Sequence, residues 1–361
     1  MVKIVGAGLA GLASGIILAK NGHEVTIHDK AESVGTVVDD TQAIRNYEHD
    51  KDQLEIFREE GIEIKHAKPI YNIIKYAPSG RSMIVHSENS KPIFYALKRG
   101  KEDVSLETQL YNQAKNAGVC FHFNSREDIK TTDAEILSTG PIHNNIWAFG
   151  GIYKVDRIDP ETILFFMNND YCPKGYIYVA PYGEREVTVA ATTFDIKCKL
   201  PLLFSKFLKE NGVIKEILKD AQLLRYTSGY SYSNVPKTAE VNGKRLAGSI
   251  AGFLDPARGF GIKYSIWSGI LAAKSIIHNK SYDKLWKSAF EKELIDGMKR
   301  RLILEKMENQ DYENMILDDK VGITRYEKIP SMLRNKMLQM QIFLEMNKFR
   351  RTYDIKKYLT T

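Results

Sequence analysis

Six residues near the start, Gly6-Ala7-Gly8-Leu9-Ala10-Gly11, constrain this chain more than any other stretch. Val2 to Val5, just before them, is an apolar run that reads as a buried strand. Leu12 to Lys20, just after, is a helical run of small and aliphatic residues. Gly22-His23 turns the chain, Val25-Thr26-Ile27 reads as a second strand, and Asp29 stands at its end. Strand, Gly-x-Gly-x-x-Gly, helix, strand, acid is the order of a Rossmann dinucleotide-binding unit. Gly6 allows the tight turn, Gly8 lets the backbone approach a pyrophosphate, and Gly11 lets helix and strand pack closely. The helix start at Leu9 and Ala10 presents free N–H groups and partial positive charge to phosphates. Asp29 lies 18 residues beyond Gly11, where a carboxylate is expected to hold a ribose hydroxyl, with Lys30 beside it.

At 361 residues the chain has room for two sub-structures sharing one body. No run of apolar residues is long enough to span a bilayer. A strand beginning at residue 2 leaves no room for a secretory leader, so a cytoplasmic protein is expected. Cys120, Cys172 and Cys198 are odd in number and widely spaced, which predicts neither a disulfide framework nor a metal site. It also excludes a flavin disulfide reductase, which needs a redox-active cysteine pair. The formal net charge is +7, and residues 298 to 361 carry 14 Lys plus Arg against 9 Asp plus Glu. That local excess is read as a solvated helical face or a rim for anionic surfaces or substrates, and not as a nucleic-acid site.

Helices are expected at about 51–60 and at Leu106 to Ala117, the second closed by Gly118 as a C-terminal cap. Short strands are expected at 62–64, 71–76, 119–123 and 133–141. From 146 to 200 the period-2 alternation predicts antiparallel strands at 147–153, 163–167, 176–180 and 187–192. Helices follow at 201–209 and 213–219. A buried strand and loop come next over 243–255, then an amphipathic helix from Gly261 to Asn279, and an almost wholly helical remainder from Tyr282.

The stretch Gly248-Ser249-Ile250-Ala251-Gly252-Phe253-Leu254-Asp255-Pro256-Ala257-Arg258-Gly259-Phe260-Gly261-Ile262, opening a long helix, resembles the second flavin-contact motif of glutathione-reductase-type FAD proteins. It is particularly similar to that of the geranylgeranyl reductase family. A glycine-rich loop running into a helix N-terminus suits an isoalloxazine carbonyl that becomes anionic on reduction. Leu97-Lys98-Arg99-Gly100 with the helix to Gly118 is similar to the family's arginine-then-helix segment. Thr132 to Gly140 is similar to the strand that rejoins the flavin domain, and Pro173 to Pro181 to the family's Gly-Tyr-x-Trp-x-Phe-Pro signature. The chain departs from the family at Ser249, where aspartate is usual, and at Tyr178 and Ala180, where Trp and Phe are usual. Gly35-Thr36-Val37-Val38-Asp39-Asp40 replaces a segment that often carries arginine and cysteine.

The resemblance implies an α/β fold: a Rossmann-type FAD-binding domain of the glutathione-reductase type, discontinuous over 1–145 and 240–280. An antiparallel-sheet substrate domain over 146–239 is inserted in it, and a helical region over 281–361 follows. It implies FAD as cofactor, held by Gly6, Gly8, Leu9, Ala10, Gly11, Asp29, Lys30, Arg99, Thr139, Gly140, Gly248, Ser249, Asp255, Gly259, Gly261 and Ile262. It further implies reduction of carbon–carbon double bonds in an apolar, prenyl-lipid substrate, with NAD(P)H or a small redox protein as electron donor, since no second nucleotide fingerprint occurs. Tyr176 and Tyr178 alternate with Ile177 and Val179 and so share one face of a strand, where either hydroxyl can orient or protonate a substrate. The alternatives are ordinary sheet aromatics for these two tyrosines, and a flavin monooxygenase or a non-catalytic electron carrier for the protein. Against the monooxygenase stands Thr139-Gly140-Pro141, where an Asp-Gly pair is usual.

In the last segment, Leu333, Met337, Met340 and Leu344 fall on one helical face, and Arg350, Arg351, Lys356 and Lys357 follow. That pairing of adaptable apolar surface and basic residues suits either packing on the flavin domain or peripheral docking on an anionic membrane surface.

Overall fold

The computed structural model describes residues 1–48, 50–87 and 90–317, together with 340, 343–345, 347 and 359. Its first layer is a six-stranded sheet in the order Glu240–Val241, Lys244–Leu246, Ile136–Leu137, Val2–Val5, Val25–His28, Cys120–His122. All neighbours run parallel except the first two, which form a hairpin. Ile4 and Val5 are buried on opposite faces, as a strand covered on both sides requires. The helix Leu9–Lys20 is buried continuously from Leu9 to Leu18, so no side of it meets water. Its second partner is the helix Ile262–Ile277. There the backbones touch: a Cβ on Gly269 would stand 2.2 Å from the Ala10 carbonyl oxygen. Ser14 Oγ donates to the carbonyls of both Ala10 and Gly269, at 2.9 and 3.0 Å.

The second layer is a seven-stranded sheet in the order Gln222–Ser231, Ile146–Lys154, Glu186–Thr193, Tyr176–Pro181, Thr162–Phe166, Asn72–Tyr76, Ser82–His86. It is antiparallel except where Thr162–Phe166 pairs with Asn72–Tyr76. One face is covered by the helices Leu200–Glu210 and Gly212–Ile217, whose Phe204, Phe207 and Ile214 pack on Val187, Val189 and Ile177. Strand alternation sends Ile163, Phe165, Tyr178 and Ala180 to the opposite face, toward the first layer. A small sheet of Thr41–Arg45, Phe94–Lys98 and Ala67–Ile70 lies against that face.

Sheet pairing cuts across the boundary expected at residue 145, because the hairpin 72–86 completes the second sheet. The strand Gln222–Ser231 was not expected. It is an edge strand, exposed over most of its length, and so carries no alternating apolar signal. Residues 62–64 form no strand: Ile62 is buried, but the Ile62 N–H goes to the Phe57 carbonyl and the Glu63 N–H to Gln113 Oε1. The strand expected over 133–141 is reduced to Ile136–Leu137.

The chain continues through Tyr282–Trp286, a π-helical turn at Lys287–Glu291, Lys292–Leu304 and Asn309–Leu317, with Trp286 and Phe290 packed on Phe253. The apolar face and basic residues expected over 332–361 lie outside the described residues, apart from a few. Met340, Phe343 and Leu344 are exposed, and Leu359 is buried against the core of the first layer. Among the described residues no helix is long and apolar enough to cross a membrane.

Candidate active site

The two layers leave a cavity of about 540 Å³ between them. The first layer contributes the glycine loop. Gly6 adopts φ +106°, and a Cβ there would stand 2.4 Å from the Ser138 carbonyl oxygen; one on Gly11 would stand 1.9 Å from the Gly6 carbonyl oxygen. Only glycine permits both approaches. Gly6 and Gly11 therefore act by packing and do not line the cavity, whereas Gly8, Leu9 and Ala10 do. The helix that starts at Leu9 has no side-chain cap and no acidic residue in its first turn. Its end presents N–H groups without intrahelical partners.

A second helix terminus reaches the same cavity. Gly261 caps Ile262–Ile277, again with no side-chain cap and no acid in the first turn. Gly261, Ile262 and Ser265 line the cavity, as do Gly248, Ser249 and Gly259. The loop before this helix is held from below by buried charges. Asp255 Oδ2 pairs with Arg45 at 3.1 Å and its Oδ1 accepts the Ala257 N–H. Arg45 also pairs with Glu48 and bonds the Tyr264 hydroxyl, and Lys263 bridges Glu48 and Glu293. Asp255, expected to hold cofactor, is absent from the lining, and its carboxylate is engaged inside the loop by Arg45 and the Ala257 N–H.

Asp29 lines the cavity with both carboxylate oxygens engaged, Oδ2 by the Ala7 N–H at 2.6 Å and Oδ1 by the Ala31 N–H at 2.7 Å. Each oxygen retains a second lone pair for a ligand hydroxyl. Lys30, Thr139 and Gly140 are also on the wall. Arg99 is there too, half-buried, with its guanidinium shared between Glu107 and Gln42 Oε1 at 2.5 Å each. Two uncapped helix termini and an acid on one cavity suit an elongated ligand with a pyrophosphate and a ribose.

The second sheet supplies the opposite wall. Tyr176 and Tyr178 both line it, with ring centroids 6.3 Å apart. Their hydroxyls differ. That of Tyr176 donates to the Arg258 carbonyl at 2.5 Å, so it braces the glycine-rich loop and has no free proton for a substrate. That of Tyr178 makes no hydrogen bond among the described residues. Burial pushes both tyrosines well above the usual phenol range.

Sequence reading missed Asp40, which lines the cavity at 7% exposure. Burial, opposed by Arg99, pushes its carboxyl up to about 6. The only sequence signal was the doubled acid Asp39-Asp40. Asp39 turns outward to Arg225, while Asp40 turns in.

The family described as NAD(P)-binding Rossmann-like domain matches residues 4–57. A digeranylgeranylglycerophospholipid reductase of Methanocaldococcus jannaschii is 25% identical, the match covering 86% of this chain and 88% of that one. The enzyme of the same name from Methanococcus vannielii is 24% identical over 92% and 96% of the two chains. Among solved structures, a geranylgeranyl bacteriochlorophyll reductase-like protein of Thermoplasma acidophilum superposes with TM-score 0.75 at 20% identity, over 92% of this chain and 97% of that one. A flavin-dependent brominase superposes with TM-score 0.62 at 15% identity, over 94% and 92%. With the glycine loop, the second helix terminus and the intervening sheet all in place, the chain is an FAD-dependent oxidoreductase similar over most of its length to the geranylgeranyl reductases.

Proposed function

We propose that this oxidoreductase reduces carbon–carbon double bonds of a prenyl-lipid substrate. The observation that carries the reading is the wall opposite the helix termini, built from Ile146, Ile163, Phe165, Tyr178 and Ala180, with Phe260 of the glycine-rich loop packed beside it. Such a surface takes a hydrocarbon chain and excludes water from it. The relatives from the two methanogens, named for reduction of a digeranylgeranyl glycerophospholipid, act on a substrate of that class.

In this reading the N–H groups at Gly8 to Ala10 hold the pyrophosphate of FAD, Asp29 holds the adenosine ribose, and Ser249 takes a ribityl hydroxyl. The terminus at Gly261 and Ile262 faces the flavin ring. Bound and reduced, the flavin supplies two electrons and a hydrogen to the substrate. The chain does the rest. The buried ion pairs of Arg45 and Lys263 fix the loop 255–261, Tyr176 braces it from the sheet, and the Tyr178 hydroxyl orients the alkene. NAD(P)H or a small redox protein is the proposed source of electrons. Docking on an anionic bilayer is proposed from the composition of residues 332–361.

The test is anaerobic. Protein reduced chemically is mixed with an unsaturated prenyl glycerophospholipid, and flavin absorbance and product mass are followed. Flavin reoxidation with a gain of two mass units per saturated bond supports the reading. Flavin that stays reduced until oxygen is admitted, and then forms an oxygen adduct, favours the oxygenase chemistry instead.

A further inference from the structure

Asp40 stands alone among the carboxylates of the cavity. Its Oδ1 is buried with no hydrogen-bond partner, and its Oδ2 meets only Gln42 Nε2, at 3.5 Å. An ionised carboxylate stranded in this way is costly, whereas a neutral carboxylic acid is tolerated. The groups facing it explain why a cation compensates it only in part. Arg99, past the end of the strand Phe94–Lys98, is the near positive charge, but it is already paired with Glu107 from the helix Leu106–Asn116. Asp39 beside it adds a further negative charge, itself directed at Arg225. From the second sheet comes Tyr178, whose own ionisation is opposed first by burial and then by Asp40.

We propose that Asp40 is the proton donor of this cavity: held as a carboxylic acid beside Tyr178, it gives its proton to the substrate carbon that does not receive the cofactor's hydrogen. The inference rests on the reading of the protein as a carbon–carbon double-bond reductase. The Asp40 O–H bond breaks and a C–H bond forms. The other new C–H bond takes its hydrogen and electron pair from reduced flavin, so the alkene is reduced and the flavin oxidised. The carboxylate left behind gains partial compensation from Arg99 and recovers a proton from water. An acid whose protonation midpoint lies near working pH suits this task better than the Tyr178 phenol, which is pushed away from it.

Two readouts on the holoenzyme test this. The first is infrared difference spectroscopy of protein made with carboxyl-labelled aspartate. A protonated aspartic acid band is expected at about pH 5, fading with a midpoint near 6 and missing from Asp40→Asn. The second is turnover of an unsaturated prenyl lipid. Its kcat should fall as pH rises through the same midpoint, and Asp40→Asn should lower kcat by about 100-fold or more with FAD still bound. Asp40→Glu, which keeps a carboxyl, should retain the pH dependence. A wild-type spectrum with no aspartic acid band titrating in this range overturns the proposal. So does an Asp40→Asn variant that turns over like wild type, which leaves the reductase reading standing. A holoenzyme that shows the band yet saturates no alkene removes the reductase reading and the donor role together.

Discussion

Replacing Asp40 with asparagine should stabilise the protein at neutral pH and leave its stability unchanged in acid. Burial, opposed by Arg99, raises the Asp40 carboxyl from the ordinary 3.8 to about 6. Below about pH 4 the folded and unfolded chains both carry the proton, and the group contributes no pH dependence. Between about 4 and 6 the unfolded chain releases its proton while the folded chain keeps it, so stability falls as pH rises. Above about 6 the loss levels off, at about 3 kcal/mol for a displacement of about 2 on the pH scale. Asparagine imitates the neutral acid at every pH. The gain of Asp40→Asn over wild type should therefore grow from near zero at about pH 4 to about 3 kcal/mol at about pH 8. Unfolding entropy at about 2.1 cal/mol/K per residue makes that a rise in Tm of about 4 °C for a chain of this length. Calorimetry or urea titration at matched pH values reads it directly. Two stability curves that stay parallel across this range would refute the reasoning, because Asp40 would then be solvated or paired in the folded protein.

Asp29→Ala should weaken FAD binding by about 1.5–3 kcal/mol, read as a rise in Kd of about 10- to 150-fold in a fluorescence titration; an unchanged Kd would detach Asp29 from the ribose. Gly11→Ala places a Cβ 1.9 Å from the Gly6 carbonyl oxygen, so it should cost about 3 kcal/mol or more and abolish flavin retention, whereas normal stability and a yellow protein would contradict the described packing. Serine at Cys120, Cys172 and Cys198 together should leave chemical and enzymatic flavin reduction intact. Burial pushes the Cys172 thiol up and so keeps it inert, and a variant that binds FAD but cannot be reduced would bring thiol chemistry back.

The nucleotide-binding unit was legible because its demands are local. Gly6, Gly8, Gly11 and Asp29 fall within one short stretch of chain, and each residue type answers one geometric need. The long helix after Gly261 was legible for the same reason. Asp40 was not, since an isolated Asp-Asp pair is ordinary on a surface. Its meaning comes from Arg99 being taken by Glu107 and from Tyr178 arriving on another sheet. The surroundings of Asp255 were not legible either, because the residue that engages its carboxylate, Arg45, lies 210 positions away. The edge strand Gln222–Ser231 escaped because an exposed strand has no buried face to write into its sequence.

The contact of Ser14 with Gly269 joins residues 255 positions apart, and it sets a timetable for the growing chain. At roughly 5–20 residues per second, the ribosome finishes the glycine loop on the order of 10–50 s before it delivers the helix that covers it. During that interval the helix Leu9–Lys20, which offers no polar side, is covered by its own strands and by the helix Leu106–Asn116 but stays open where Ile262–Ile277 will lie. Cofactor capture would then come as a late event of synthesis, not an early nucleus for it.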